Sequence, residues 1–296
     1  MRFLPGLMLS LSLSFTIFSD FVEAKRPDRA EEIAVEDPVV IDKRESHGKR
    51  CSDQDIEKLK QVKETESSLK HIGFIPDGNR RWAKNRGAAT TLVGHKIGLD
   101  RVKELCVSLI KHKIKYVTLY CFSSENWNRS VEEITYLMDL FRSLFDDADN
   151  FLYKNGVKIE TVGDLSRLPK DLQDKISVLK EKTKDNDKIT VICAISYSGR
   201  GEIVRATKKI AQDVLNRKIN IDDIDEQKFE SYLDLPGVPY PDVVVRTSER
   251  RISNFLLWEI AYSELVFLDK FWPDLTEKDI QFIIDDFSKR KRRYGK

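Results

Sequence analysis

The stretch Asp77-Gly78-Asn79-Arg80-Arg81-Trp82 sets a carboxylate, a glycine and two guanidinium groups directly after the apolar run at 71–75. Asp77 offers hard oxygen ligands of the kind Mg2+ takes. Gly78 lets the backbone pass close to a ligand and adopt positive φ. A helix beginning near Asn79 would aim its free N–H groups at an anion. Arg80 and Arg81 would add charge-assisted hydrogen bonds to phosphate oxygens. Carboxylate, metal, amides and arginines together describe a diphosphate seat. A simple Asp-Gly turn with two solvated arginines is the plain alternative.

Three further stretches carry the same chemistry. Val93-Gly94-His95-Lys96 repeats the pattern of glycine and base at a helix start. His95 there could bind a phosphate, carry a proton near neutral pH, or serve only as a cap. Residues 122–130 gather Ser123, Ser124, Glu125, Asn126 and Arg129 around Trp127. Such a loop can face a ligand or be anchored by its tryptophan. Residues 243–267 are the densest, with Arg246, Arg250 and Arg251 among Ser248 and Ser253. That is a second anion-binding set, unless it is a basic surface loop.

These loops need elements to hold them. The runs at 71–75, 116–122, 157–163, 189–196, 242–246 and 264–267 read as strands. Helical spacing fills most of the intervals. His95 to His112 keeps Val102, Leu105, Cys106, Leu109 and Ile110 on one face. A long helix follows Ser130, whose spacing to Glu133 fits a capping box. Val131, Ile134, Leu137, Met138, Phe141, Leu144 and Phe145 recur along it as core or as the lining of an apolar slot. Pro169, Gly199 and Thr276 open three more helices. Alternation of strand and helix predicts an α/β fold with a mostly parallel sheet covered on both faces. In such sheets ligands bind beyond the carboxyl ends of the strands, where Asp77 falls.

The chain has 296 residues, and 41% are hydrophobic, enough for one large core. Charges nearly cancel at +2, which argues against a whole-surface nucleic-acid binder and makes any anion site local. The four cysteines show no zinc spacing and no disulfide framework. Residues 1–24 read as a secretory signal-like leader with a cut after Ala24. Residues 25–66 read as a charged linker or targeting extension, with a short helix beginning at Ser52. Residues 67–296 form the predicted catalytic domain. The leader points to the secretory pathway and the endoplasmic reticulum, or to a plastid reached through it. The basic tail at 289–296 suits peripheral attachment to an anionic membrane.

Taken together, the 77–84, 94–98, 120–129 and 246–265 segments resemble the cis-prenyltransferases, the family that includes undecaprenyl and dehydrodolichyl diphosphate synthases. The resemblance covers about 70–296, with the motifs in family order. It implies a central six-stranded sheet, flanking helices, a hydrophobic tunnel and a homodimer, with a heteromer as the variant. The implied activity is Mg2+-dependent condensation of isopentenyl diphosphate onto an allylic diphosphate such as farnesyl diphosphate, each new double bond being cis. By this resemblance Asp77, Asn126 and Arg129 are catalytic. Gly78, Asn79, Arg80, Arg81, Trp82 and His95 seat the allylic diphosphate, with Ser123 and Trp127 beside the substrates. Arg246, Arg251 and Ser253 seat isopentenyl diphosphate, Glu264 joins Asp77 at the metal, and Arg293 and Gly295 reach the neighbouring subunit's site.

Three departures stand out. Pro76 replaces a usual methionine, which removes an N–H beside Asp77. The 246–253 loop is one glycine shorter than the family pattern, and an arginine usual before Gly94-His95 is missing. A non-catalytic partner subunit is the alternative within the family, but such partners lose the aspartate and cations kept here. No GxGxxG or Walker loop supports a nucleotide-binding enzyme, and no DDxxD supports an all-helical trans-prenyltransferase.

Overall fold

The computed structural model describes residues 69–292. The leader, the extension and its helix, Arg293 and Gly295 lie outside the described residues.

Six strands form one sheet: β1 (His71–Ile75), β2 (Tyr116–Ser123), β3 (Val157–Val162), β4 (Ile189–Tyr197), β5 (Val243–Thr247) and β6 (Glu264–Leu268). Their order is β3-β4-β2-β1-β5-β6, and every pair is parallel. The expected mostly parallel sheet is therefore wholly parallel. Between strands run α1 (Asn79–Asn85), α2 (Leu92–Lys111), α3 (Val131–Lys154), α4 (Lys170–Thr183), α5 (Gly199–Leu215) and α6 (Glu226–Glu230), and α7 (Glu277–Lys289) follows β6.

Continuous apolar strands bury both faces of the sheet, as parallel strands require. On one face Leu105 and Leu109 of α2, Leu137 and Phe141 of α3, Leu172 of α4 and Ile283 of α7 pack on Phe74, Leu119 and Val191. On the other, Phe255, Leu256 and Ile260 cover Tyr120, Ile192 and Val244. The chain leaves β1 toward β2 on one side, while β5 pairs with β1 on the other. The crevice above β1 and β5 is a topological switch point, the usual ligand position in such sheets.

His71 opens β1 and is buried, with both ring nitrogens engaged. Its Nδ1 lies 2.5 Å from the Pro239 carbonyl and its Nε2 lies 2.8 Å from Thr118 Oγ1. Burial outweighs the Pro239 carbonyl and the Asp242 charge, and it lowers the imidazole from its ordinary 6.5 to about 4. Between these values the unfolded chain takes up a proton that the folded chain refuses. Stability from this group is complete above pH 6.5 and falls as pH drops toward 4, by about 3 kcal/mol in all. Chemical denaturation across that range will show the loss, and His71→Gln will flatten it.

Candidate active site

Asp77 follows β1, held by backbone contacts from two directions. Its N–H donates to Thr247 Oγ1 (2.9 Å), the Thr247 hydroxyl donates back to its carbonyl (2.8 Å), and the Trp272 N–H donates to the same carbonyl (2.9 Å). The β1 ladder already ends at the pairing of Ile75 with Arg246, so the missing N–H of Pro76 breaks no strand contact. Gly78 then turns the chain at φ 94°. A Cβ there would stand 2.3 Å from Ser248 Oγ and 2.5 Å from Phe271 Cδ1, so both conformation and space demand glycine. Gly94 does similar work on α2, where a Cβ would meet the Asn79 carbonyl at 1.9 Å. Its absence lets α2 lie against α1 and bring His95 to the crevice.

The Asp77 carboxylate joins two sets of cations. Oδ2 accepts from Arg246 Nη2 at 2.7 Å, and Oδ1 accepts from Arg81 Nη2 at 3.2 Å and from the Gly78 N–H at 2.6 Å. Burial by itself would raise this carboxyl. The Arg246 hydrogen bond and charge, the Gly78 amide and the Arg81 charge outweigh it, so the pKa lies below the ordinary carboxylate value. Arg246 is only 4% exposed, and its Nη1 donates to the Arg251 carbonyl and Ser253 Oγ, both at 2.5 Å. Arg251 Nε donates to the same Ser253 oxygen at 3.2 Å. Despite its missing glycine, the loop gathers Arg246, Arg251 and Ser253. It does so through left-handed backbone at Ser248 (φ 70°), Ser253 (47°), Asn254 (63°) and Leu256 (44°). Such strain, concentrated in one loop, is common at binding sites.

On the other side of Asp77, Arg80, His95 and Arg129 meet around Glu133 in the first turn of α3. Glu133 is 7% exposed. Its Oε1 accepts from Arg129 Nη1 at 3.0 Å and lies 3.4 Å from His95 Nε2, while Arg80 Nη1 is 3.3 Å from Oε2. Burial and the Arg129 charge lower the His95 pKa despite Glu133, which favours a neutral imidazole. The capping-box spacing at 130–133 had suggested a helix start; the structure adds a shared counter-ion that residue type alone did not reveal. Thr247 is a further unexpected member, recognisable only once β5 is placed beside β1.

Other expected residues sit differently. Asn126 Oδ1 accepts from the Ser123 N–H (3.1 Å), so these two shape the turn after β2. Trp127 is half-buried, donating to Ser196 Oγ at 3.0 Å with the Arg167 guanidinium over its ring. Trp82 faces inward from α1, and its indole N–H donates to Asp274 at 2.8 Å, away from the cation sets. Glu264 opens β6 beside Val243, whereas Asp77 lies past the far ends of the strands, roughly 13 Å along the sheet. Its carboxylate is held instead by Arg290 (2.6 Å). Within one chain it is not brought to Asp77.

The expected tunnel is not seen among the described residues. Between α2, α3 and the sheet there is a cavity of about 40 Å3 lined by Cys106, Leu144, Phe145, Phe151 and Cys193, among others. Phe145 stacks on Phe141, and the expected stripe is otherwise buried or half-buried apart from Val131 at its exposed start. A larger cavity, about 330 Å3, lies on the other face among His71, Ile192, Tyr240 and Glu259. Neither cation set lines it, so we place the chemistry at Asp77. Among the described residues no group of three or more His, Cys, Asp or Glu could hold a metal by itself. Asp77 nevertheless fits Mg2+, which is commonly bound by one or two carboxylates together with substrate phosphates.

The sequence matches the family model for putative undecaprenyl diphosphate synthase over residues 75–295. An isoprenyl transferase of Clostridium perfringens is 44% identical over 227 residues, covering 76% of this chain and 89% of that protein. A Thermoplasma acidophilum protein, tritrans,polycis-undecaprenyl-diphosphate synthase (geranylgeranyl-diphosphate specific), is 42% identical over 230 residues, covering 77% and 89%. The crystal structure of lavandulyl diphosphate synthase from Lavandula x intermedia, in complex with dimethylallyl diphosphate, aligns at TM-score 0.75 and 34% identity, covering 77% of this chain and 99% of that one. Fold, site and likenesses define a prenyltransferase enzyme. The chain belongs to the undecaprenyl diphosphate synthase family of cis-prenyltransferases.

Proposed function

We propose that this enzyme condenses isopentenyl diphosphate onto an allylic diphosphate, forming cis double bonds and using Mg2+. One observation carries the reading: a single carboxylate, Asp77, bridges Arg81 on one side and Arg246 on the other. Two cation sets meeting at Asp77, and again at Glu249, whose two oxygens accept from Arg81 (2.7 Å) and Arg251 (2.8 Å), suit two diphosphates held side by side. Arg80, Arg81, His95 and Arg129 take the allylic diphosphate; Arg246, Arg251 and Ser253 take the isopentenyl one. The relative bound to dimethylallyl diphosphate and the relative named for geranylgeranyl diphosphate support an allylic substrate.

The chemistry follows from charge. The allylic C–O bond breaks, the electron pair leaves with the diphosphate, and a cation remains on the allyl group. The double bond of isopentenyl diphosphate attacks that cation, and the new cation then gives a proton to an oxygen of the released diphosphate, leaving the cis double bond. Bound at Asp77, Mg2+ would withdraw negative charge from the leaving group. Arg80 and Arg129 hold the charge that develops on its oxygens. A neutral His95 contributes an N–H donor. Asn126 and Trp127 stand beside the reacting centre, their positions fixed by Ser123 and Ser196. The product chain grows between α2 and α3 over the small cavity, which must widen as it fills.

Phe145 and Phe151 then bound the chain. Phe145→Leu will shift products to longer chains, at a stability cost of about 1 kcal/mol. Reversed-phase sizing of the products checks this. The enzyme acts as a homodimer, with Arg293 and Gly295 completing a neighbour's site; a metal role for Glu264 also requires a second chain. The leader directs the protein to the secretory pathway or to a plastid beyond it, and the basic tail brings it to anionic lipid. No helix among the described residues is long and apolar enough to cross a membrane.

The test is to incubate purified protein with labelled isopentenyl diphosphate, Mg2+ and allylic primers of different lengths, then size the products. Polyprenyl diphosphates with new cis bonds support the reading. No elongation of any primer overturns it, and elongation appearing only with a catalytic co-subunit supports the partner-subunit alternative.

A further inference from the structure

The cluster around Glu133 has a property that an anion seat does not need. Its donors already have an anion. The Arg80 and Arg129 guanidinium groups, from α1 and the turn before α3, and the neutral His95 imidazole, from α2, all approach one carboxylate within 3.0–3.4 Å. That carboxylate lies on the inner side of the cluster, its side chain 9% exposed, whereas the Arg80 side chain is 55% exposed toward the crevice. The contacts also differ in quality. Arg129 makes a hydrogen bond to Glu133. Arg80 lies at 3.3 Å, and the buried His95 Nε2 has no aligned hydrogen-bond partner. Arg80 and His95 are therefore loosely committed to their partner.

We infer that Glu133 is a resident counter-ion, which an incoming diphosphate displaces from Arg80 and His95. The inference rests on the diphosphate reading of this seat. Free of substrate, Glu133 keeps like charges from repelling one another and holds their side chains near the binding position. A diphosphate brings more negative charge and more acceptor oxygens than one carboxylate, so it wins the exchange. When pyrophosphate is the leaving product, the carboxylate competes for the same donors and favours its departure. Glu133 is thus a positioning residue that weakens ground-state binding and speeds release.

The test is titration calorimetry of the full chain with inorganic pyrophosphate, at fixed salt and Mg2+, comparing wild type, Glu133→Gln and Arg80→Ala. Glu133→Gln will bind about tenfold tighter, the order expected for losing a competing, partly screened charge pair. Its single-turnover pyrophosphate release will slow correspondingly, while Glu133→Asp, which keeps the charge, will stay near wild type. Arg80→Ala will bind more weakly. A brace that merely holds the cluster together would give the opposite sign on Glu133→Gln. Equal or weaker binding by that variant, with its melting temperature retained, overturns the counter-ion role and leaves the seat in place. Unchanged binding by Arg80→Ala overturns the seat itself.

Discussion

Asp77→Ala will lower the rate of isoprenoid condensation by roughly 10^3-fold, the loss typical when one electrostatic partner of a developing charge is removed. Three consequences combine. The acid that links Arg81 with the buried Arg246 disappears, with the oxygen ligand for Mg2+, and only Glu249 still joins the two cation sets. Arg246 Nη2 and Arg81 Nη2 lose their acceptor and repel each other across the gap. The Gly78 N–H also loses its partner, loosening the turn before α1. Asp77→Asn separates these effects, because the amide keeps the shape and an acceptor oxygen but removes the charge. It should fold like wild type and still lose most of the rate. Steady-state kinetics on both variants, beside circular dichroism melts, makes the measurement. A loss smaller than about threefold in either one contradicts the assignment.

Arg246→Ala carries the second large effect, and here stability and binding fall together. The guanidinium is nearly fully buried and makes three hydrogen bonds: to Asp77, to the Arg251 carbonyl and to Ser253. Removing it leaves the Asp77 carboxylate half-paired and the loop untied. Breaking a buried pair from one side costs about 3 kcal/mol. The KM for isopentenyl diphosphate should rise about 100-fold, more than that for the allylic substrate, because Arg246 belongs to the second cation set. Arg246→Lys retains the charge but cannot reach three acceptors at once, so it should recover stability before it recovers binding. Urea denaturation and separate KM values distinguish these outcomes. Equal rises in both KM values would mean that the two sets are not separate seats.

Much of this was legible in the residues. The continuous apolar runs gave all six strands, and their alternation with helical spacing gave the parallel sheet. Arginine-rich loops after the strands marked the crevice, since such side chains in a fold of balanced charge need an anion or a carboxylate. What escaped were facts of placement. Glu133 read as a capping partner because a helix start needs one, and nothing local shows that Arg80 and His95 converge on it. The resemblance placed Trp82 in the allylic seat, yet in a seven-residue helix it falls with Ala83 on the buried side. Glu264 looked like a metal ligand by motif, but its position at the start of a strand sends it to the opposite end from Asp77. The tunnel that the resemblance implies is not seen among the described residues, where Phe145 and its neighbours leave only a small cavity.

We propose that diphosphates bind beside Asp77, between the donors of α1, α2 and the turn before α3 and those of the loop after β5. A crystal structure with Mg2+ and a non-hydrolysable allylic diphosphate analogue tests it most directly. The diphosphate oxygens should lie within hydrogen-bond reach of Arg80, Arg81 and His95, with the apolar tail running between α2 and α3. Density for the diphosphate in the cavity near His71 and Glu259, or anywhere out of reach of those three side chains, would contradict it.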